Sequence, residues 1–168
     1  MSFSTVPKMR KDGTLTLMDS GASTTLEIEY EDGNFTFTPT KAQQVVIRDR
    51  GTITTVRKGD FDPIATGSFA VHFRQFTAAS NPGSVIDFVN KTGNYSSNVS
   101  TGSTGTPYIE EYCIDIKYEV DGSGVGDTAT THTATISKAI CNVSFTEGDP
   151  SSINVEFTAF GSVTYSAT

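Results

Sequence analysis

The chain has 168 residues, 36% apolar and 18% charged, with 11 Phe, 6 Tyr and no Trp; this length suits one domain with a real core, and the shortfall in apolar and charged residues is filled by Thr, Ser and Gly, which favour strands and turns over helices. The net charge is −7, and all of it falls in residues 61–168, where 4 Lys/Arg face 11 Asp/Glu, whereas residues 1–60 hold 8 of each; an acidic surface argues against sequence reading of nucleic acid. Cys113 and Cys141 are too few for a zinc site or a disulfide framework, the N-terminus lacks a signal-peptide core, and no apolar run approaches the roughly 18 residues of a membrane span, so the expectation is a chain made in the cytosol with reduced thiols.

Residues 14–18 read as a short strand. Over 25–31, Leu26, Ile28 and Tyr30 alternate with Glu27, Glu29 and Glu31, the period of a strand with one buried face. Asp32-Gly33-Asn34 signals a hairpin turn, because Gly tolerates positive φ; residues 35–38 return and Pro39 stops them. Runs at 43–50 and 52–57 flank Gly51, and a charged cluster, Arg57-Lys58-Gly59-Asp60, leads into Phe61-Asp62-Pro63. From about 64 to 76 the chain alternates again, with Ala65, Gly67, Phe69, Val71 and Phe73 on one side and Thr66, Ser68, Ala70, His72 and Arg74 on the other.

One helix is expected over about 82–91, capped by Ser80 or Asn81, with Pro82 in its first turn, Val85, Ile86, Phe88 and Val89 as its apolar stripe, and Gly93 as its stop. So short a helix must pack on the sheet. Residues 93–107 are rich in Gly, Ser and Asn and read as a flexible loop, exposed outside or ordered on assembly. Over 111–120, Tyr112, Ile114, Ile116, Tyr118 and Val120 face inward, and Glu111, Cys113, Asp115, Lys117 and Glu119 face out. DGSGVGD at 121–127 is a flexible tip. Along 133–145 the apolar phase changes, from Ala134, Ile136 and Ile140 to Cys141, Val143 and Phe145, which predicts a bulge near Lys138-Ala139. After the EGDP turn, Ile153, Val155, Phe157 and Ala159 form a last alternating strand, with Val163 and Tyr165 beyond Gly161. The sum is a single all-β domain over 1–168: an antiparallel β sandwich or barrel with one short flanking helix and an extended loop or hairpin within 39–62.

The chemistry-bearing residues make no constellation. His72 and His132 stand apart from any triad or metal pair, and Glu27, Glu29 and Glu31 share one polar strand face rather than flanking a cleft. DGSGVGD lacks the ligand spacing of a calcium loop and the glycine spacing of a dinucleotide fingerprint. Three Asn-X-Ser matches, at Asn94, Asn98 and Asn142, are chance matches in a chain without a secretory signal. No catalytic, metal or cofactor site is expected. Instead Thr52, Thr54, Thr66 and Ser68 place small polar side chains toward a wide aqueous space or another subunit. Open sheet edges invite pairing with further chains; heterologous pairing that closes gives a ring, and stacked rings give a filament.

Residues 45–73, VVIRDRGTITTVRKGDFDPIATGSFAVHF, resemble a segment of the major tail tube proteins of long-tailed, non-contractile bacteriophages. The matching positions are Arg50-Gly51, Gly59-Asp60, Pro63 and Ser68-Phe69; the later order of helix, Gly/Ser loop, EEYCIDIKYEV strand and final INVEFTAFGSVTYS is also similar, so the likeness in order covers most of the chain. The resemblance implies a structural virion protein of the tail, assembled in the host cytoplasm. It implies hexameric rings stacked into a hollow tube, and passage of double-stranded DNA without sequence-specific binding. It also implies tape-measure, tail-tip and tail-terminator proteins as partners. Contractile tails and secretion machines share this architecture. On this view Arg48, Asp49, Arg50, Arg57, Lys58, Asp60 and Asp62 set the register between identical neighbours through mixed charges, the bland alternative being a solvated turn. The competing reading is a β-sandwich binding module for a carbohydrate or receptor, with Tyr95, Tyr108 and Tyr112 as its aromatic candidates.

Overall fold

The computed structural model describes residues 13–28, 34–40, 44–58, 64–77, 83–102, 111–121 and 131–168. Its strands are β1 (Gly13–Met18), β2 (Thr25–Ile28), β3 (Thr36–Pro39), β4 (Gln44–Asp49), β5 (Thr52–Lys58), β6 (Ala65–His72), β7 (Ile114–Asp121), β8 (Thr131–Thr146), β9 (Ser152–Ala159) and β10 (Val163–Ala167), with one α-helix, α1 (Val85–Asn90). Eight strands form one antiparallel sheet in the order β2-β1-β7-β8-β9-β6-β3, with β10 added beside β8; β4 and β5 form a separate two-stranded sheet. The all-β expectation holds.

β8 organises the sheet. Its first half pairs with β7 and β10, its second half with β9. Between the halves Ile136 opposes Ile116 but Ala139 opposes Ile114, so β8 carries one extra residue. Lys138 takes the left-handed conformation there, φ 56°, and its backbone N–H donates to Asp115 Oδ1 at 3.0 Å. This is the bulge that the change of apolar phase predicts, and it turns the strand as bulges do. The sheet also folds over itself. The Phe35 ring, just before β3, lies 5.1 Å from Tyr118 on β7 and 6.2 Å from Phe157 on β9. β3 and β7 are at opposite ends of the ladder β7-β8-β9-β6-β3, so only a curled sheet brings them together. Leu15, Leu17, Ile116, Phe69, Val155 and Phe157 fill the interior between the two layers. Each large side chain buried there contributes about 1.5–3 kcal/mol.

Local reading and structure differ in three places. The helix is shorter than 82–91 and starts later: Ser84 is its N-cap, accepting from the Asp87 backbone N–H and donating to the Phe76 carbonyl at 2.8 Å. Ser80, Asn81 and Pro82 lie outside the described residues. Lys91 adopts the left-handed capping position itself, φ 54°, two residues before Gly93. Cys113, expected on the polar face, is buried, because it precedes the regular ladder of β7. Segment 98–102 covers it there, with Thr101 N–H on the Cys113 carbonyl and Ser100 Oγ accepting from the Cys113 N–H. Within the Gly/Ser-rich stretch, Asn98 is 2% exposed and its amide reaches the Tyr112 hydroxyl at 3.2 Å. Buried Asp19 anchors the same stretch by accepting from Ser23 Oγ and from the backbone N–H groups of Thr24 and Val99. Residues 103–110 and the 122–127 tip lie outside the described residues, as do Tyr30 and Tyr108.

Candidate functional site

The outward face of β3, β6, β9 and the second half of β8 forms rows of small polar side chains. The registers align Thr36 with Ser68, Glu156 and Asn142, and Thr38 with Thr66, Thr158 and Ile140. Toward the far end, Ala70 aligns with Asn154 and Ser144, and His72 with Ser152 and Thr146. Thr36 Oγ1 and Ser68 Oγ are 3.2 Å apart, and Asn154 Nδ2 donates to Thr146 Oγ1 at 3.0 Å. Glu156 is the one carboxylate in these rows. The opposite face of the same strands is the core, which is why the alternation is so clean: Ala65, Phe69, Val71, Ile153, Val155 and Phe157 are buried. Gly67 interrupts it, since a Cβ there would strike the Phe157 ring and the Thr36 carbonyl.

Both lateral borders of this face are open among the described residues. β3 pairs only with β6, and residues 140–146 of β8 find ladder partners only in β9. The alternating directions make β3 antiparallel to β8. A neighbouring copy could therefore continue the antiparallel order.

The β4–β5 hairpin enters and leaves the sheet at the Pro39–Ala65 end. Its turn is the two-residue loop Arg50-Gly51, with φ 50° and 84°, between paired Asp49 and Thr52. Two positive φ values in a two-residue loop match the right-handed twist of the strands. A shift in register between Ile47 and Arg48 puts an extra residue in β5. Val46, Ile47 and Ile53 are 43%, 41% and 54% exposed, a high apolar exposure for so small a unit. A lone two-stranded hairpin is marginal in water.

The sequence-selected residues divide accordingly. Arg48, Asp49, Arg50, Thr52, Thr54, Arg57 and Lys58 all belong to the hairpin, with Arg48, Arg50 and Thr52 exposed. Asp60 and Asp62 lie outside the described residues. Thr66 and Ser68 sit on the polar face of β6, so the four small polar candidates occupy two sheets rather than one. Tyr95 packs edge-on against Phe88, and Tyr112 is half-buried beneath Lys91, so neither presents an exposed ring platform.

Sequence reasoning missed an aromatic cluster at the other end of β6. Phe73, Phe76 and Phe145 pack with ring centroids 4.6–5.6 Å apart, yet Phe76 is 57% and Phe145 46% exposed. Alternation assigned Phe73 and Phe145 to the core side; what it could not show is that both lie where the sheet ends and no second layer covers them. The exposed Glu147 and Asp149 follow directly in the turn to β9. A cleft of about 240 Å³ opens nearby, lined by Leu26, Ile28, Val71, Arg74, Val85 and Ile153 among others. No group of three His, Cys, Asp or Glu among the described residues is placed to hold a metal. No helix among them is long and apolar enough to cross a membrane. Burial, with a smaller electrostatic effect of Cys113, pushes the Cys141 thiol up to about 12, and burial raises Cys113 as well.

No protein-family model matches the sequence, and no curated protein is detectably similar to it. Solved structures do match. A chain in the PVC sheath/tube terminator of an extracellular contractile injection system superposes with TM-score 0.56 at 11% identity, covering 95% of this chain and 96% of that one. A chain in the anti-feeding prophage tube-terminating cap gives 0.59 at 10%, covering 100% and 96%. A chain in the PVC sheath-tube complex in its extended state gives 0.54 at 13%, covering 99% and 100%. The PVC particle is a contractile injection system, whereas the sequence motif resembles proteins of non-contractile tails. At such identities the likeness is one of fold, and it extends over nearly the whole of each chain: this chain has the fold of components found in tail-like injection particles.

Proposed function

We propose that this chain is a structural subunit of a phage-type tail tube. Copies join side by side into rings, the β3 border of one continuing onto residues 140–146 of the next, and the rings stack into a hollow tube. The observation that carries this reading is the four-strand polar face with two open lateral borders. Closure of a sheet between subunits removes its edges. Six copies giving four strands each, spaced about 4.8 Å, make a circumference of roughly 115 Å and a diameter of roughly 37 Å before tilt. That bore admits a DNA duplex. The rows from Thr38 to His72 hold hydroxyls, amides and one carboxylate but no Lys or Arg, Arg74 lying beyond their end, so little counterion release holds the duplex in place. The role is architectural rather than catalytic, and the tail-tube motif at 45–73 favours the non-contractile type. Tape-measure, tail-tip and terminator proteins then cap or thread the same tube.

Negative-stain microscopy of purified protein at rising concentration tests this. Hollow, regularly striated rods are expected; a monodisperse 17.9 kDa species at every concentration contradicts it. The hairpin charges belong to the same experiment. Reversal at Arg57-Lys58, and separately at Asp60-Asp62, is expected to impair rod formation; normal rods in both would remove these residues from the interface.

A further inference from the structure

The hairpin root and the exposed aromatic cluster occupy opposite ends of β6. Pro39 pairs with Ala65 at one end, where the chain leaves for β4 and returns from β5. At the other end His72 pairs with Ser152, Phe73 N–H donates to the Ser151 carbonyl, and Phe145 pairs with Ile153. The eight residues of β6 separate the two ends by about 26 Å. Two different exposed apolar surfaces at opposite poles of one subunit are the requirement for a heterologous, open-ended contact, in which the pole of one copy meets the other pole of the next.

Charge distinguishes the poles in the same sense. Residues 44–58 carry four Lys/Arg and one Asp, net +3, in a chain of net −7, so the rest of the chain carries −10. The aromatic pole presents Glu147 and Asp149, both exposed, in the turn that follows Phe145. On the hairpin, Arg48 is cross-strand neighbour to Ile53 and stands two residues from Val46. One strand face thus offers two apolar side chains and a guanidinium.

From these placements we infer that the Val46, Arg48 and Ile53 face of the hairpin docks on the Phe73, Phe76 and Phe145 cluster of a copy in the next ring, with Glu147 and Asp149 of that copy meeting the hairpin arginines. This rests on the tube reading and names the acceptor for the hairpin. Aromatic side chains at the centre of a contact supply most of its energy. The opposed charges at its rim select orientation and speed encounter. The contact also explains why an isolated hairpin carries apolar side chains in water: it is half of a joint. Head-to-head stacking is disfavoured, since it sets basic hairpin against basic hairpin.

The test is a cross-link between copies. Ile53→Cys and Phe145→Cys subunits are mixed, assembled into rods and mildly oxidised, and disulfide-linked peptides are identified by mass spectrometry. An abundant 53–145 cross-link between copies, lost when the rods are dissociated before oxidation, is the expected result. Rods that form without that cross-link overturn the docking while leaving the tube intact, and absence of rods from the unaltered protein overturns the tube reading itself. A second measurement leaves the native thiols and the cluster untouched. Glu147→Lys/Asp149→Lys protein, with an unchanged melting curve, is expected to give rods at least tenfold shorter, and adding Arg48→Glu/Arg50→Glu to the same chain is expected to restore their length. Full-length rods from the first variant, or no recovery in the second, count against the pairing.

Discussion

Cys141 shows how burial sets the behaviour of a single residue. It lies on the core side of β8, opposite Phe157, and its thiol is held up to about 12 against an ordinary 9.0. Burial disfavours the charged thiolate, and Cys113 adds to the effect. The folded state therefore keeps a proton that the unfolded chain releases. The stabilisation is complete below pH 9 and is lost as pH rises from 9 toward 12, with a slope of about 1.4 kcal/mol per pH unit. Urea unfolding between pH 9 and 11 should show this fall in the native protein and a shallower one in Cys141→Val; Cys113, Tyr95 and Tyr112, all raised by burial, retain part of the slope. An identical slope in both proteins would contradict the assignment. The core-side placement of the half-buried Cys141 is legible in the sequence, where it joins Val143 and Phe145 on one parity. The burial of Cys113 is not, because it depends on segment 98–102 folding over it, an event set by Asp19 from 79 residues upstream of Asn98.

Among the elements, the β4–β5 hairpin is the one whose stability bears most directly on the proposed assembly. Arg50 and Gly51 both sit at positive φ, a conformation that costs a non-glycine residue about 1–2 kcal/mol. Gly51→Val adds that cost in a unit with little stability to lose. The expected outcome is a rise of about tenfold in the concentration at which rods appear, since 1.4 kcal/mol is a factor of ten. No change with Gly51→Val would mean that the turn is irrelevant to assembly. The bulge at Lys138 and the alternating strands β6, β7 and β9 were readable because each buries one face and leaves a period of two. The helix start was misplaced because the capping oxygen comes from Ser84, beyond a Pro82 that looked like a first-turn residue. The aromatic cluster escaped because periodicity tells which side of a strand a residue takes, and not where the opposing layer stops.

At the scale of the molecule, the sheet closes its core but not its borders. β3, β10 and the second half of β8 leave backbone groups without ladder partners on one side among the described residues, and a hairpin with exposed Val46 and Ile53 stands apart from the main sheet. Unpaired edges in natural proteins are blunted, covered or used; in the proposed tube, identical neighbours complete the β3 and β8 borders and cover the hairpin. Amide hydrogen exchange, compared between dilute protein and assembled rods, tests the claim most directly. In peptides covering 44–58, 36–39 and 140–146, the amides without ladder partners should exchange fast in dilute protein and become strongly protected in rods, while the β7 core is protected in both. Equal protection of those edges in dilute and assembled protein would show that a single subunit already satisfies them, and would contradict assembly through them.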